Sequence, residues 1–226
     1  MTEDLSQLRK SIDVLDNQIL EALAQRMKLS DQVVAAKNGV AAFRPGREAQ
    51  LVRQLVAKGK ADGLDIAPEI ILGVWRQIMA ASLNRQDGEL AYAVHHNTLP
   101  VAAWHLGSTF SAIVDNDVAR LIEVLASGQC RYALVPARDD YQNLLSCLDQ
   151  HHHLKIIART PLYDMRAVDP AFIIADYLPD SSGDDISLYA VRTAHGFDLI
   201  DVVGHYDTVP LANVPEGARL VGAYAR

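Results

Sequence analysis

The chain has 226 residues, half of them apolar, which is enough for one large core or two smaller ones. Its formal charge of −7 is uneven: residues 1–86 carry 12 Lys and Arg against 10 Asp and Glu, whereas residues 87–226 carry 9 against 18. The acidic half argues against nucleic acid as a partner, no apolar run has membrane-spanning length, and no secretory signal core opens the chain, so a cytoplasmic protein is expected.

Residues 4–37 read as one long helix. Leu5, Leu8, Ile12, Leu15, Ile19, Ala22, Leu29, Val33 and Ala36 recur at three- to four-residue spacing, and Asn38-Gly39 supplies a stop. Such a helix is about 50 Å long, more than a small domain needs, which predicts packing along a second chain. A second helix is expected over 45–58, with Pro45 in its first turn and Leu51, Val52 and Leu55 as its apolar face. "GKADGLD" reads as a loop, and a third helix follows over 68–86, with Ile70, Ile71, Val74, Ile78 and Leu83 on or near one face. Trp75, spaced with Ile71 and Ile78, reads as core.

Beyond residue 87 the pattern changes to short strand-like runs: "LAYAVHH", "FSAIVD", "RYALVPA", "LKIIART", "AFIIADYL" and "ISLYAVRT". "VARLIEVLASG" and "DDYQNLLSCLDQ" read as helices between them, so α/β units with at least partly parallel strands are expected. The expected organisation is an all-α, three-helix N-terminal domain (1–87) in an intertwined dimer, plus a smaller α/β C-terminal domain (88–226).

Several polar residues break these patterns. Positions 5, 12, 19 and 33 form one row of the first helix, and position 26 of that row is Arg26. A charge on an apolar seam costs several kcal/mol unless it is paired, so Arg26 is an internal ion pair, a snorkelling side chain or a ligand-binding group. Lys37 projects from nearly the same side, roughly 16 Å along the axis, and the two could clamp a small dianion. Arg9 lies about 25 Å from Arg26 along that axis and could join only from a second chain; alone it reads as a solvated residue. Ser82 and Gln86 lie one turn apart on the third helix, as a polar helix end or as hydrogen-bond donors to a ligand. Arg44, Arg47 and Glu48 crowd the start of the second helix. His151-His152-His153 has no spaced carboxylate or cysteine to complete a metal set, and Cys130 and Cys147 read as core thiols, so neither metal nor cofactor is expected.

"LRKSIDVLDNQILEALAQRMKLSDQVVAAK", "RPGREAQLVRQL" and "VWRQIMAASLNRQ", with Arg9, Arg26, Lys37, Arg47, Glu48, Ser82 and Gln86 in this order, resemble the all-helical class of chorismate mutases. The resemblance implies a homodimer whose two sites each borrow an arginine, Arg9, from the other chain. It implies that Arg9 and Arg26 hold the two carboxylates of chorismate, that Ser82 adds a hydrogen bond, and that Lys37 and Gln86 meet the ether oxygen. Glu48 would take the ring hydroxyl and Arg47 complete the cationic wall. Members often carry an acid one turn before the Arg47 position; here Arg44 stands there, expected to touch substrate through its side chain or its backbone N–H.

"CRYALVPARDDYQNLLSCLDQHHHLKIIARTPLY" resembles part of a prephenate dehydratase domain. Its site turn, Val-Pro-Ile-Glu-Asn in that family, reads Val135-Pro136-Ala137-Arg138-Asp139 here, and Pro170-Ala171-Phe172 stands in place of a Thr-Arg-Phe signature. "DDISLYAVRTAHG" and "ARLVGAYAR" resemble fragments of an ACT-type regulatory domain. The C-terminal half is therefore expected to be a catalytically silent, degenerate dehydratase-like unit. Two other readings stay open: an isochorismate–pyruvate lyase on the same helical scaffold, and a non-catalytic sensor or partner in the aromatic pathway with an amino-acid effector.

Overall fold

In the computed structural model, residues 4–36, 41–87, 91–107, 110–137, 141–163 and 168–226 are described. The three expected helices form: α1 (Leu5–Ala36), α2 (Pro45–Ala61) and α3 (Pro68–Asp87). Helix α2 runs past the expected stop at residue 58. Gly59 does not end it: it stays helical and buried, with the built Cβ position in ordinary contact distance, 3.5 Å, of Ile71 Cδ1 on α3. The chain turns instead at Gly63, at φ 65°, where glycine avoids the strain of a left-handed backbone.

The remainder is an α/β region, and it is the larger part of the chain, not the smaller. In chain order it contains β1 (Ala91–His95), α4 (Leu99–Leu106), β2 (Ser111–Asp115), α5 (Val118–Ala126), β3 (Tyr132–Pro136), α6 (Tyr141–Gln150), β4 (Lys155–Thr160) and β5 (Ala171–Ala175). The strands β6 (Asp185–Thr193), β7 (Gly196–Val203) and β8 (Arg219–Ala225) follow. The eight strands among the described residues join one sheet in the order β2-β1-β3-β5-β4-β8-β6-β7. Strand β1 is parallel to β2 and β3, and β4 is parallel to β8; the other pairs are antiparallel. The two segments likened to ACT fragments, β6 and β8, thus extend the same sheet. Strand β8 fits between β4 and β6 because Gly222 meets Ile156: a Cβ there would lie 2.0 Å from the Ile156 carbonyl oxygen.

The sheet is covered on both faces. On one, Leu121 and Ile122 of α5 and Leu145 and Leu148 of α6 pack on Val135, Ile156 and Ile174. On the other, Ala102 and Leu106 of α4 pack on Tyr92, Leu134 and Ile173, in the same cluster as Phe43 and Leu83 from the helical region. Phe43 is 2 % exposed and meets His105 and Tyr132 edge-on at 5.6 Å, so the segment entering α2 is buried in the sheet's core. Helix α1 is different. Leu5, Leu8, Ile12, Leu15, Ile19 and Leu29 are each 42–60 % exposed, and Ile70 and Val74 of α3 are also exposed.

Candidate active site

Helix α1 lies along α3, held by polar pairs in step. Arg26 Nη1 donates to Ser82 Oγ at 2.7 Å, and that hydroxyl donates to the Ile78 carbonyl one turn back at 3.0 Å. One turn on, Gln86 Nε2 donates to Ser30 Oγ at 2.9 Å, and Arg85 forks onto the Asp31 carboxylate, Nε to Oδ1 at 3.0 Å. The first turn of α2 closes the space between them. The result is a cavity of about 240 Å³ lined by Arg26, Arg47, Glu48, Ser82 and Gln86, with Met79 and Leu83 as apolar floor.

Five residues picked out in three separate sequence segments therefore share one cavity. Arg26 is partly buried; desolvation lowers its guanidinium below the ordinary arginine value, and the nearby Glu48 charge opposes that shift. It stays a cation. Its direct hydrogen bond is to a neutral hydroxyl, so its charge is not spent on a contacting carboxylate.

Glu48 is fixed from behind. Its Oε2 accepts from Arg76 Nη1 at 2.5 Å, and Arg76 is 4 % exposed. Arg76 was not singled out in the sequence, although the signal was there: it interrupts the apolar row Leu72, Met79, Leu83 of α3 as Arg26 interrupts its row in α1. Behind the pair is a second, small cavity of about 40 Å³ bounded by Glu48, Arg76, Trp104, His105 and Thr160. The Arg76 Nε and Nη2 and the His105 Nε2 are buried without hydrogen-bond partners among the described residues. His105 shares a 2.8 Å hydrogen bond with Thr160 Oγ1, and burial, then the Arg76 charge, hold its pKa well below the ordinary 6.5, so it is neutral.

Two expected site residues, Arg9 and Arg44, are not on this wall, and a third, Lys37, lies outside the described residues. Arg9 is exposed on α1, several turns from Arg26. Arg44 does not reach the cavity, because its guanidinium pairs with Asp180 of the α/β region at 3.3 Å. Asp180 also accepts from the backbone N–H groups of Gly46 (3.1 Å) and Arg47 (2.9 Å). Nothing near residue 44 in sequence announces Asp180, which is 134 positions from Gly46.

The α/β region has its own cleft, of about 590 Å³, at the carboxyl ends of β1 and β3. His95, Asn97, Asp117, Asn143 and Asp169 line it beside Val135-Pro136; Arg138 and Asp139 of that turn lie outside the described residues. His151 follows α6 and pairs with Glu123 at 3.0 Å. Cys130 and Cys147 are buried free thiols, and desolvation raises both above the ordinary thiol value. No helix among the described residues is long and apolar enough to cross a membrane.

Residues 8–87 match the family model of chorismate mutase type II. The chain is 30 % identical over 89 residues to the T-protein of Enterobacter agglomerans, a match covering 38 % of this chain and 23 % of that protein. It is 26 % identical over 159 residues to a bifunctional chorismate mutase/prephenate dehydratase of Pseudomonas aeruginosa, covering 64 % of this chain and 41 % of that protein. The chain thus spans less than half the length of either relative. Among solved structures, GqqA, described as a novel type of quorum quenching acylase, aligns at 15 % identity and a TM-score of 0.47, over 62 % of this chain and 96 % of that one. Prephenate dehydratase from Streptococcus mutans aligns at 15 % identity and a TM-score of 0.40, over 60 % and 98 %.

Proposed function

We propose, from a helical segment that matches chorismate mutase type II, that this protein converts chorismate to prephenate in aromatic amino acid biosynthesis. The observation that carries the reading is the convergence of Arg26, Arg47, Glu48, Ser82 and Gln86 on one cavity inside the matched segment. The rearrangement is intramolecular and needs no nucleophile, metal or cofactor. The site has to hold the substrate in its compact reactive shape and stabilise charge that grows as the ether C–O bond breaks.

In this reading Arg26 takes one substrate carboxylate with its planar fork, and the Ser82 hydroxyl it already touches joins it. Gln86 donates to the ether oxygen together with Lys37, where a donor is worth most in the transition state. Glu48, held by Arg76, accepts the ring hydroxyl, and Arg47 adds positive potential. Arg9 of a second copy supplies the remaining carboxylate contact. A homodimer is supported by the exposed apolar seam of α1, which one chain leaves uncovered. A cytoplasmic location is supported by two buried, unbridged cysteines.

Incubating the full chain with chorismate and, separately, with isochorismate tests the reading. Prephenate should form from chorismate, and Arg26→Ala should lower kcat/KM by about two orders of magnitude or more in a folded protein. Pyruvate from isochorismate without prephenate from chorismate would replace this reading with the lyase. The 590 Å³ cleft gives the α/β region room for a small ligand, and the departures from the dehydratase motifs at Ala137-Arg138-Asp139 and Pro170-Ala171-Phe172 favour a sensor of an aromatic amino acid over a dehydratase. Titrating Phe, Tyr and Trp into the mutase assay should then change its rate.

A further inference from the structure

Helix α2 begins without a cap of its own. Arg44 occupies the N-cap position and its side chain makes no capping bond. Of the first backbone donors, Pro45 has none, and the Glu48 N–H already reaches the Arg44 carbonyl at 3.0 Å. Gly46 and Arg47 remain, and the two oxygens of Asp180 take one each. The guanidinium of Arg44 lies against the same carboxylate.

Two further observations make this a built joint. Gly46 meets the other region's backbone directly: a Cβ there would lie 2.2 Å from the Asp180 carbonyl oxygen and 2.8 Å from the Ser181 carbonyl carbon. The loop carrying Asp180 is also locked along the same side of α2. Gln50 Nε2 donates to the Ser181 carbonyl at 3.1 Å, and Arg53 Nη1 to the Ser182 carbonyl and hydroxyl at 3.1 and 3.0 Å. Within the loop, Asp185 accepts from the Ser182 N–H and from both the Ser181 and Ser182 hydroxyls.

We propose that Asp180, from the α/β region, caps α2 in place of the missing side-chain cap at Arg44 and is a positioning residue for Arg47 and Glu48. Resting on the mutase reading, this gives the α/β region a part in the helical site: it sets the rotation of the turn from which two wall residues project. The carboxylate also offsets the positive end of the helix dipole.

The test compares four full-length proteins: wild type, Asp180→Ala, Arg44→Asp and the double variant, with circular dichroism to check folding. Loss of the cap in Asp180→Ala should lower kcat/KM about tenfold and speed amide exchange at Gly46 and Arg47. Arg44→Asp alone should also lower kcat/KM, because two carboxylates then contend for one helix end. Combined, the two changes should restore activity and slow exchange, because the introduced carboxylate caps the same N–H groups from within α2. Wild-type kcat/KM in Asp180→Ala, or a double variant no better than Asp180→Ala, overturns the proposal. If Asp180→Ala fails to fold, Asp180→Asn, which keeps one acceptor oxygen, replaces it in the same cycle. If the wild type forms no prephenate, the mutase reading fails, and the exchange pattern alone decides whether Asp180 caps α2.

Discussion

Glu48 answers to two cations, Arg76 in contact behind it and Arg26 across the cavity. Buried charge of this kind is costly, and removing one partner of a buried pair leaves the other uncompensated. The neighbouring His105 shows how far the interior resists more positive charge. Its folded pKa is depressed by burial and then by Arg76, so below the ordinary histidine value the unfolded chain binds more protons than the folded one. The contribution is therefore fully present above about pH 6.5 and is lost as pH falls toward the folded value. The measured unfolding free energy should decline between about pH 7 and 5. In His105→Phe the starting stability should be lower, since Thr160 loses its partner, but the decline should be shallower. An unchanged slope would mean that His105 is not a source of the acid sensitivity.

At the scale of elements, helices α1, α2 and α3 were legible because apolar rows and Pro/Gly punctuation are local signals. So was Arg26, since a charge out of place on a helix row can be seen without knowing the fold; Glu48, Ser82 and Gln86 read as a charged helix start and a polar helix end, and only the family resemblance joined them to it. Arg76 carried the same signal as Arg26. Helix α4 did not, because "LPVAAWHL" is apolar nearly all round and shows no period. Asp180 was illegible for another reason: its role exists only once the sheet has brought residue 180 to residue 46. The length of α1, and the seam it leaves exposed, lead to a prediction about two chains. Arg9→Ala and Lys37→Ala subunits, each inactive alone, should regain turnover on mixing, because a heterodimer has one intact composite site. No recovery after subunit exchange has been verified by mass spectrometry would count against a shared site.

At the scale of the molecule, the helical and α/β regions are not beads on a linker. Phe43 and Leu83 share a cluster with Tyr92, Leu134 and Ile173. Phe43→Ala should cost about 3–5 kcal/mol, the range for deleting a buried aromatic side chain. Hydrogen exchange at fixed protein concentration should show α2 and the sheet weakened together; weakening of α2 alone would mean the two regions unfold independently. The place of β8 has a consequence for how the chain is made. Synthesis delivers β1 to β5 first and then the β6–β7 hairpin, and besides the outer edges β2 and β7 that the finished sheet keeps, each group carries one edge that the finished sheet covers, on β4 and on β6. Open edges are templates for pairing with other chains. Strand β8 follows both in the chain and closes both at once, with Gly222 seated on Ile156. A nascent chain halted before residue 219 would leave the β4 and β6 edges unpaired as well, so the speed at which residues 219–225 are delivered, and the chaperone supply until then, should govern its solubility.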